Sequence, residues 1–240
     1  MEMKTKLRLD RFEVAGVKCI ALEPANEGNY PLVIMMHGLG DQGDSYIDVG
    51  TFLNLPYRFV FPTAPPPYFP APFASVPVGF SWFHLDLTFS QVSKDVASAR
   101  PLFNNLVSGL RAKYQTPANR TIVGGFSQGG MLTLDSGLRY RSETGERLAG
   151  LIAMSTLLPN DNSAALPELK SVLVEASRSE LPVFIAHGSN DPMIPPRLGR
   201  ATRDLLKETG VKTEYFEFLG FHEINLEVLQ KVKAFLERVL

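Results

Sequence analysis

Five short segments of the 240-residue chain are apolar through their centres and end on glycine, proline or serine. They are PLVIMMHG from Pro31, RFVFPTAP from Arg58, TIVGGFS from Thr121, LAGLIAMS from Leu148 and LPVFIAHG from Leu181. A strand wetted on one face alternates apolar and polar residues. A short run without that alternation suits a strand covered on both faces, and so a parallel sheet. Helical spacing fills the gaps between these runs. From Val92 to Tyr114, residues Val96, Ala99, Leu102, Phe103, Leu106 and Leu110 recur at helical intervals, and Pro101 predicts a kink or a split there. Gly129 to Arg139, Pro196 to Glu208 and Asn225 to Leu240 read the same way. Ahead of them, Lys6 to Ala21 alternates polar and apolar residues, which predicts an antiparallel edge hairpin turning near Ala15-Gly16. The expected architecture is a mostly parallel central sheet flanked by helices, α/β in class, with an N-terminal antiparallel hairpin, all in one domain spanning 1–240. In such sheets the site lies beyond the carboxyl ends of the strands.

Charge excludes several classes of partner. With 24 basic and 25 acidic side chains the chain carries no basic excess, so a nucleic-acid partner is not expected. At 45% apolar residues a disordered chain is excluded too. The single cysteine, Cys19, rules out an intrachain disulfide and a cysteine-based zinc cluster, and reads as a small buried strand residue. No metal site is expected. The first residues lack the apolar core of a secretory signal, so a cytoplasmic setting is the expectation.

The chemistry-bearing residues fall just after the apolar runs. TIVGGF leads into Gly125-Phe126-Ser127-Gln128-Gly129, and a helical pattern follows. G-x-S-x-G between strand and helix is a nucleophile elbow, in which glycines permit a turn sharp enough to lift the serine hydroxyl above the sheet. The plainer alternative is a Gly-rich turn in which Ser127 only caps the helix. A nucleophilic serine needs a base, and the elbow's partners follow it as acid and then histidine. Of the four histidines only His222 lies beyond Asp191, and it sits between a β-type run and the last helical pattern. Asp191 closes the apolar run LPVFIAHGSND. Glu223 is beside His222 in sequence and would point away from it on an extended chain; His187 and His37 read as structural. After the first long apolar run, His37-Gly38-Leu39-Gly40-Asp41 can turn a backbone amide inward. The Leu39 and Gln128 N–H groups are therefore the candidate pair for a developing oxyanion.

HGLGD, GFSQGG, AMSTLLP, HGSNDPMIP and a histidine before the last helix occur in this order from about Pro31 onward. In these blocks the chain resembles the phospholipase/carboxylesterase family of α/β hydrolases, which includes acyl-protein thioesterases and bacterial carboxylesterases. The resemblance implies the α/β-hydrolase fold, no cofactor, and a small-molecule ester or acyl-thioester substrate. It also implies Ser127, Asp191 and His222 as the catalytic triad, with Leu39 and Gln128 as amide donors. The expected activity is that of a serine carboxylesterase; the alternative is an acyl-protein thioesterase or lysophospholipase acting on longer acyl chains. Two positions depart from the family pattern. His84 stands after Trp82-Phe83 where an acid is usual, and Phe221 replaces the glycine usual before the histidine.

One segment stays outside these motifs. Phe59 to Leu85 holds no Asp, Glu, Lys or Arg and is dense in proline and aromatic residues. Its length would suit a membrane helix, but its prolines break one, so no integral membrane segment is expected. The segment starts at a strand's carboxyl end, on the predicted rim of the site. Tyr68, Phe69, Phe73, Phe80 and Trp82 are therefore candidates for lining an acyl-binding surface. Oligomeric state is not encoded in any of these patterns.

Overall fold

The computed structural model of the chain describes residues 6–69, 75–86, 88–160 and 166–240. The N-terminal alternation forms the expected hairpin. Strands β1 (Leu7–Val14) and β2 (Val17–Pro24) pair antiparallel around Ala15-Gly16, both at positive φ. The five apolar runs supply β3 (Leu32–Met36), β4 (Arg58–Thr63), β5 (Thr121–Phe126), β6 (Gly150–Met154) and β7 (Val183–Gly188), and β8 is Thr213–Phe218. They form an eight-stranded sheet in the order β1-β2-β4-β3-β5-β6-β7-β8. The β1–β2 and β2–β4 pairs are antiparallel, and every pair from β4 to β8 is parallel.

Helices cover both faces. The split predicted by Pro101 is present: α2 (Val92–Ser98) ends one residue before α3 (Arg100–Tyr114), with the proline in the first turn of α3, where its missing N–H costs nothing. The helices α4 (Gln128–Arg139), α6 (Pro196–Glu208) and α7 (Leu226–Val239, capped by the Asn225 side chain) match the remaining patterns within a residue or so. Two helices were not expected. The first, α1 (Ile47–Leu53), has seven residues, too few to show a period, and α5 is Leu166–Arg178.

Strand alternation distributes the core. Ile34 and Met36 of β3 join Phe103, Leu106 and Leu110 on one face of the sheet. Val33 and Met35 join Phe59, Phe61 and Phe235 on the other, beneath α1 and α7. Helix α4 is enclosed almost completely, with Gln128 through Leu138 all buried. Its one acid, Asp135, is neutralised by a bidentate Arg100 (2.7 and 2.9 Å) and by Arg139 at 2.8 Å. Cys19 is buried as expected, and burial pushes its thiol up to about 12.

Phe103 is fully buried against the neighbours of α4. Phe103→Ala is expected to lower unfolding free energy by about 3–5 kcal/mol, read as an earlier urea midpoint with unchanged slope.

Candidate active site

The middle of the sheet builds the elbow. Strand β5 lies between β3 and β6, and its last residues stand opposite Gly125↔Met36 and Phe126↔Met154. At Ser127 the chain reverses into α4 with φ 52° and ψ −117°, a conformation an L-residue adopts only under strain. Glycine makes the reversal possible. A methyl group at Gly125 would lie 2.3 Å from the Gly129 backbone, and one at Gly129 would lie 2.4 Å from the Met36 carbonyl oxygen. The strained turn is held by the Ser127 N–H bonding the Met154 carbonyl (2.9 Å) and by the Thr156 hydroxyl bonding the Ser127 carbonyl (2.8 Å). Ser127 is half-buried at the rim.

Strand register brings Asp191 and His222 together. Parallel pairing ends at Gly188↔Phe218, and the two following loops stay attached: Ser189 N–H bonds the Phe218 carbonyl at 2.8 Å, and Asn190 N–H bonds that of Gly220 at 2.9 Å. His222 Nδ1 then lies 2.8 Å from Asp191 Oδ2. The other carboxylate oxygen accepts the N–H groups of Met193 and Ile194, both at 2.9 Å. Burial pulls the Asp191 carboxyl up, but the bonds from His222 and these amides outweigh it and hold the group below its ordinary value. An ionised Asp191 fixes the proton of neutral His222 on Nδ1 and leaves Nε2 as an acceptor. The imidazole leans on Phe126, one residue before Ser127, at 4.7 Å between ring centres. Glu223 turns back on its own loop and accepts the Phe221 N–H.

The other two buried histidines brace the site. His37 Nδ1 bonds the Gly38 carbonyl (2.7 Å) while Nε2 accepts the Ala64 N–H (3.0 Å), a pattern that needs a neutral ring. His187 Nε2 bonds the Ile194 carbonyl at 2.9 Å and lies 3.5 Å from Asp191 Oδ2. Burial pushes both imidazoles down, so the His187–Asp191 contact is not an ion pair.

The loop after β3 lies against the elbow. A methyl group at Gly38 would sit 3.2 Å from the Phe126 ring and 3.4 Å from Ser127 Cβ, so the loop packs on the elbow one residue before Leu39. Gln128, the first residue of α4, carries one of the N–H groups that a helix leaves without an internal partner.

The uncharged segment does not start at the strand's end: Phe59 to Thr63 belong to β4 and the core, and the described residues beyond them lie against this loop. Tyr68 N–H bonds the Gly79 carbonyl (2.7 Å), Val78 N–H bonds the Tyr68 carbonyl (2.9 Å), and the Phe80 backbone pairs with that of Gly40 (2.9 Å) and Asp41 (3.2 Å). Gly79 is required there: at φ 123°, a side chain would meet the Gly40 carbonyl at 2.0 Å. Tyr68 lies over Gly40, Phe80 is half-buried, and Phe69 is 44% exposed. Phe73 falls outside the described residues. Trp82 is buried, with its indole N–H on the His37 carbonyl at 2.9 Å, so it supports the loop from below and offers no free surface. His84 and Phe221 are exposed. Sequence reasoning passed over the Gln128 side chain, the Thr156 hydroxyl and His187 as an Asp191 neighbour. The presence of Gln128 in the GFSQGG block was the one available signal.

A model of the phospholipase/carboxylesterase family matches residues 17–240. The chain belongs to this family. Its members are hydrolases of the serine type, and this chain is one of them. It is 32% identical over 241 residues to acyl-protein thioesterase 1 of Neurospora crassa, covering 90% of this chain and 89% of that protein. Acyl-protein thioesterase 1 of Emericella nidulans is 28% identical over 90% of this chain and 93% of its own length. Among solved structures, the crystal structure of esterase PE8 superposes with a TM-score of 0.76 at 27% identity, covering 98% of this chain and all of that one. A carboxylesterase from Mesorhizobium loti shares the fold, with a TM-score of 0.73 at 14% identity over 98% of this chain and 99% of that one. Among the described residues no helix is long and apolar enough to cross a membrane.

Neutral buried His37 and His187 set a pH dependence of stability. Unfolding frees both rings to protonate near pH 6.5, so the unfolded chain binds more protons below that pH. Their contribution is complete above about pH 6.5 and declines as the pH falls toward their lower folded values. The urea midpoint of the wild-type chain is expected to drop between pH 7 and pH 5. In His37→Gln combined with His187→Gln that slope flattens, although the variant is less stable at pH 7.

Proposed function

We propose that Ser127 is the nucleophile of a serine carboxylesterase, with His222 as its base and Asp191 orienting the imidazole. The observation that carries this reading is the 2.8 Å Asp191–His222 bond placed against Phe126, beside a serine at positive φ. In this reading His222 Nε2 takes the Ser127 proton as Oγ attacks the acyl carbon, and Asp191 stabilises the imidazolium. The Leu39 and Gln128 N–H groups receive the oxyanion. His222 then protonates the departing alcohol, and water, deprotonated by the same ring, attacks the acyl-Ser127 ester and releases the acid. Tyr68, Phe69 and Phe80 provide apolar surface for the acyl group. One domain spanning 1–240 suffices for the chemistry, and no cofactor enters any step.

A second reading keeps the mechanism and changes the substrate. The name of the Neurospora crassa relative favours an acyl-protein thioester, and we extend that reading to a longer acyl chain. Under this reading the uncharged segment holds that chain.

Ser127→Ala and His222→Ala are each expected to lower ester turnover by at least about a thousandfold, with Asp191→Asn costing less. A fluorophosphonate probe should label the wild type and not Ser127→Ala; a variant that keeps most of its activity overturns the assignment. Turnover of short and long p-nitrophenyl esters beside an acyl thioester separates the two substrate readings. Tyr68→Ala or Phe80→Ala is expected to shift the chain-length preference, and an unchanged preference removes the uncharged segment from the acyl site.

A further inference from the structure

Gln128 is 0% exposed, yet its amide is fully used. Its Oε1 accepts the Trp82 N–H at 3.0 Å, and its Nε2 donates to the Phe83 carbonyl at 2.8 Å and to the Ser81 hydroxyl at 3.1 Å. The side chain thus reads the backbone of residues 82–83 as a neighbouring strand would. Only the carboxamide supplies both halves of that pattern. A carboxylate would keep the Trp82 bond and set a negative oxygen against the Phe83 carbonyl.

What Gln128 holds, holds the loop after β3. The Trp82 indole N–H bonds the His37 carbonyl at 2.9 Å, and the ring lies 5.0 Å from that of His37. Two residues earlier, the Phe80 carbonyl accepts the Gly40 N–H at 2.9 Å and the Phe80 N–H bonds the Asp41 carbonyl at 3.2 Å. Residues 80 and 82 therefore grip the 37–41 loop on both sides of Leu39, while residues 81–83 are fastened to the first residue of α4. Gln128 offers one oxyanion donor from its own backbone and reaches the other through its side chain.

We propose that the Gln128 side chain is a positioning residue that sets the spacing between the Leu39 and Gln128 N–H groups. This rests on the oxyanion role assigned to those two groups above. Without the clamp, residues 81–83 and the loop they grip can shift relative to α4, and the donors lose registry with an oxyanion that exists only in the transition state. The penalty then falls on kcat and leaves substrate binding nearly unchanged.

The test is Gln128→Met, which preserves length and removes every polar contact, with Gln128→Glu beside it. Circular dichroism and the urea midpoint establish that each variant is folded at the assay temperature. On a short p-nitrophenyl ester both are expected to lose about ten- to a hundredfold in kcat, with KM changed less than about threefold. Trp82 is the sole tryptophan of the chain, so its emission reports the clamp directly and should shift to longer wavelength in both variants. Should neither variant fold, Trp82→Phe removes the indole N–H bond to His37 together with the pyrrole part of the ring, leaves the backbone bonds to Gln128 in place, and is expected to lower kcat with KM unchanged. A folded Gln128→Met, or Trp82→Phe in its place, that keeps kcat within threefold overturns the proposal, and so does a loss confined to KM. Ser127→Ala is run in parallel. If it is inactive while Gln128→Met is fully active, the clamp fails and the nucleophile assignment stands; if Ser127→Ala is active, that assignment fails first.

Discussion

Where α4 begins, one backbone presses on another. Gly129 lies so close to the carbonyls of Met36 and His37 that a methyl group would come within 2.4 and 2.6 Å of them. That contact ties the start of the helix behind Ser127 to the end of β3, and so joins the elbow to the loop that carries Leu39. It is available only because neighbouring parallel strands end at one level and because glycine occupies both Gly125 and Gly129. The positive φ of Ser127 and the burial of Gln128 accompany that close approach.

The same edge of the sheet assembles the rest. Parallel pairing from β4 to β8 delivers each strand's following loop to one rim, and the β7–β8 register continues into the loops that hold Asp191 and His222. Buried neutral imidazoles then serve as spacers. His37 ties its own loop to Ala64, and His187 ties Ile194 beside the Asp191 carboxylate. Placing an uncharged His187 behind Asp191 leaves the carboxylate to bond His222 without an ion pair to a second imidazole.

Much of the fold was legible because burial on both faces leaves a mark in each strand. The apolar runs marked β3 to β7, and the helical spacing marked α2, α3, α4, α6 and α7. Helix α1 escaped because seven residues cannot show a period. Helix α5 did carry a signal, with Leu169, Leu173 and Ala176 buried at helical spacing after Pro167, and could have been read. Trp82 stands among the candidate acyl-binding aromatics in sequence, but composition does not reveal depth, and the residue is buried. Its indole lies beneath the loop, where a hydrogen bond to His37 gives its polar edge a buried partner.

The sequence by itself determined the α/β architecture, the edge hairpin, the family and the order in which serine, aspartate and histidine occur. Each of these is written in local spacing or in residues next to one another. Only the tertiary structure decided the distance at which His222 meets Asp191, that His187 stands behind the carboxylate, and that the Gln128 side chain reaches residues 81–83. The Asp191–His222 and Gln128–Trp82 contacts join positions 31 and 46 residues apart, and sheet register, which no local pattern encodes, brings them within hydrogen-bonding distance; His187 and Asp191 are near in sequence, but the turn after β7 sets their contact.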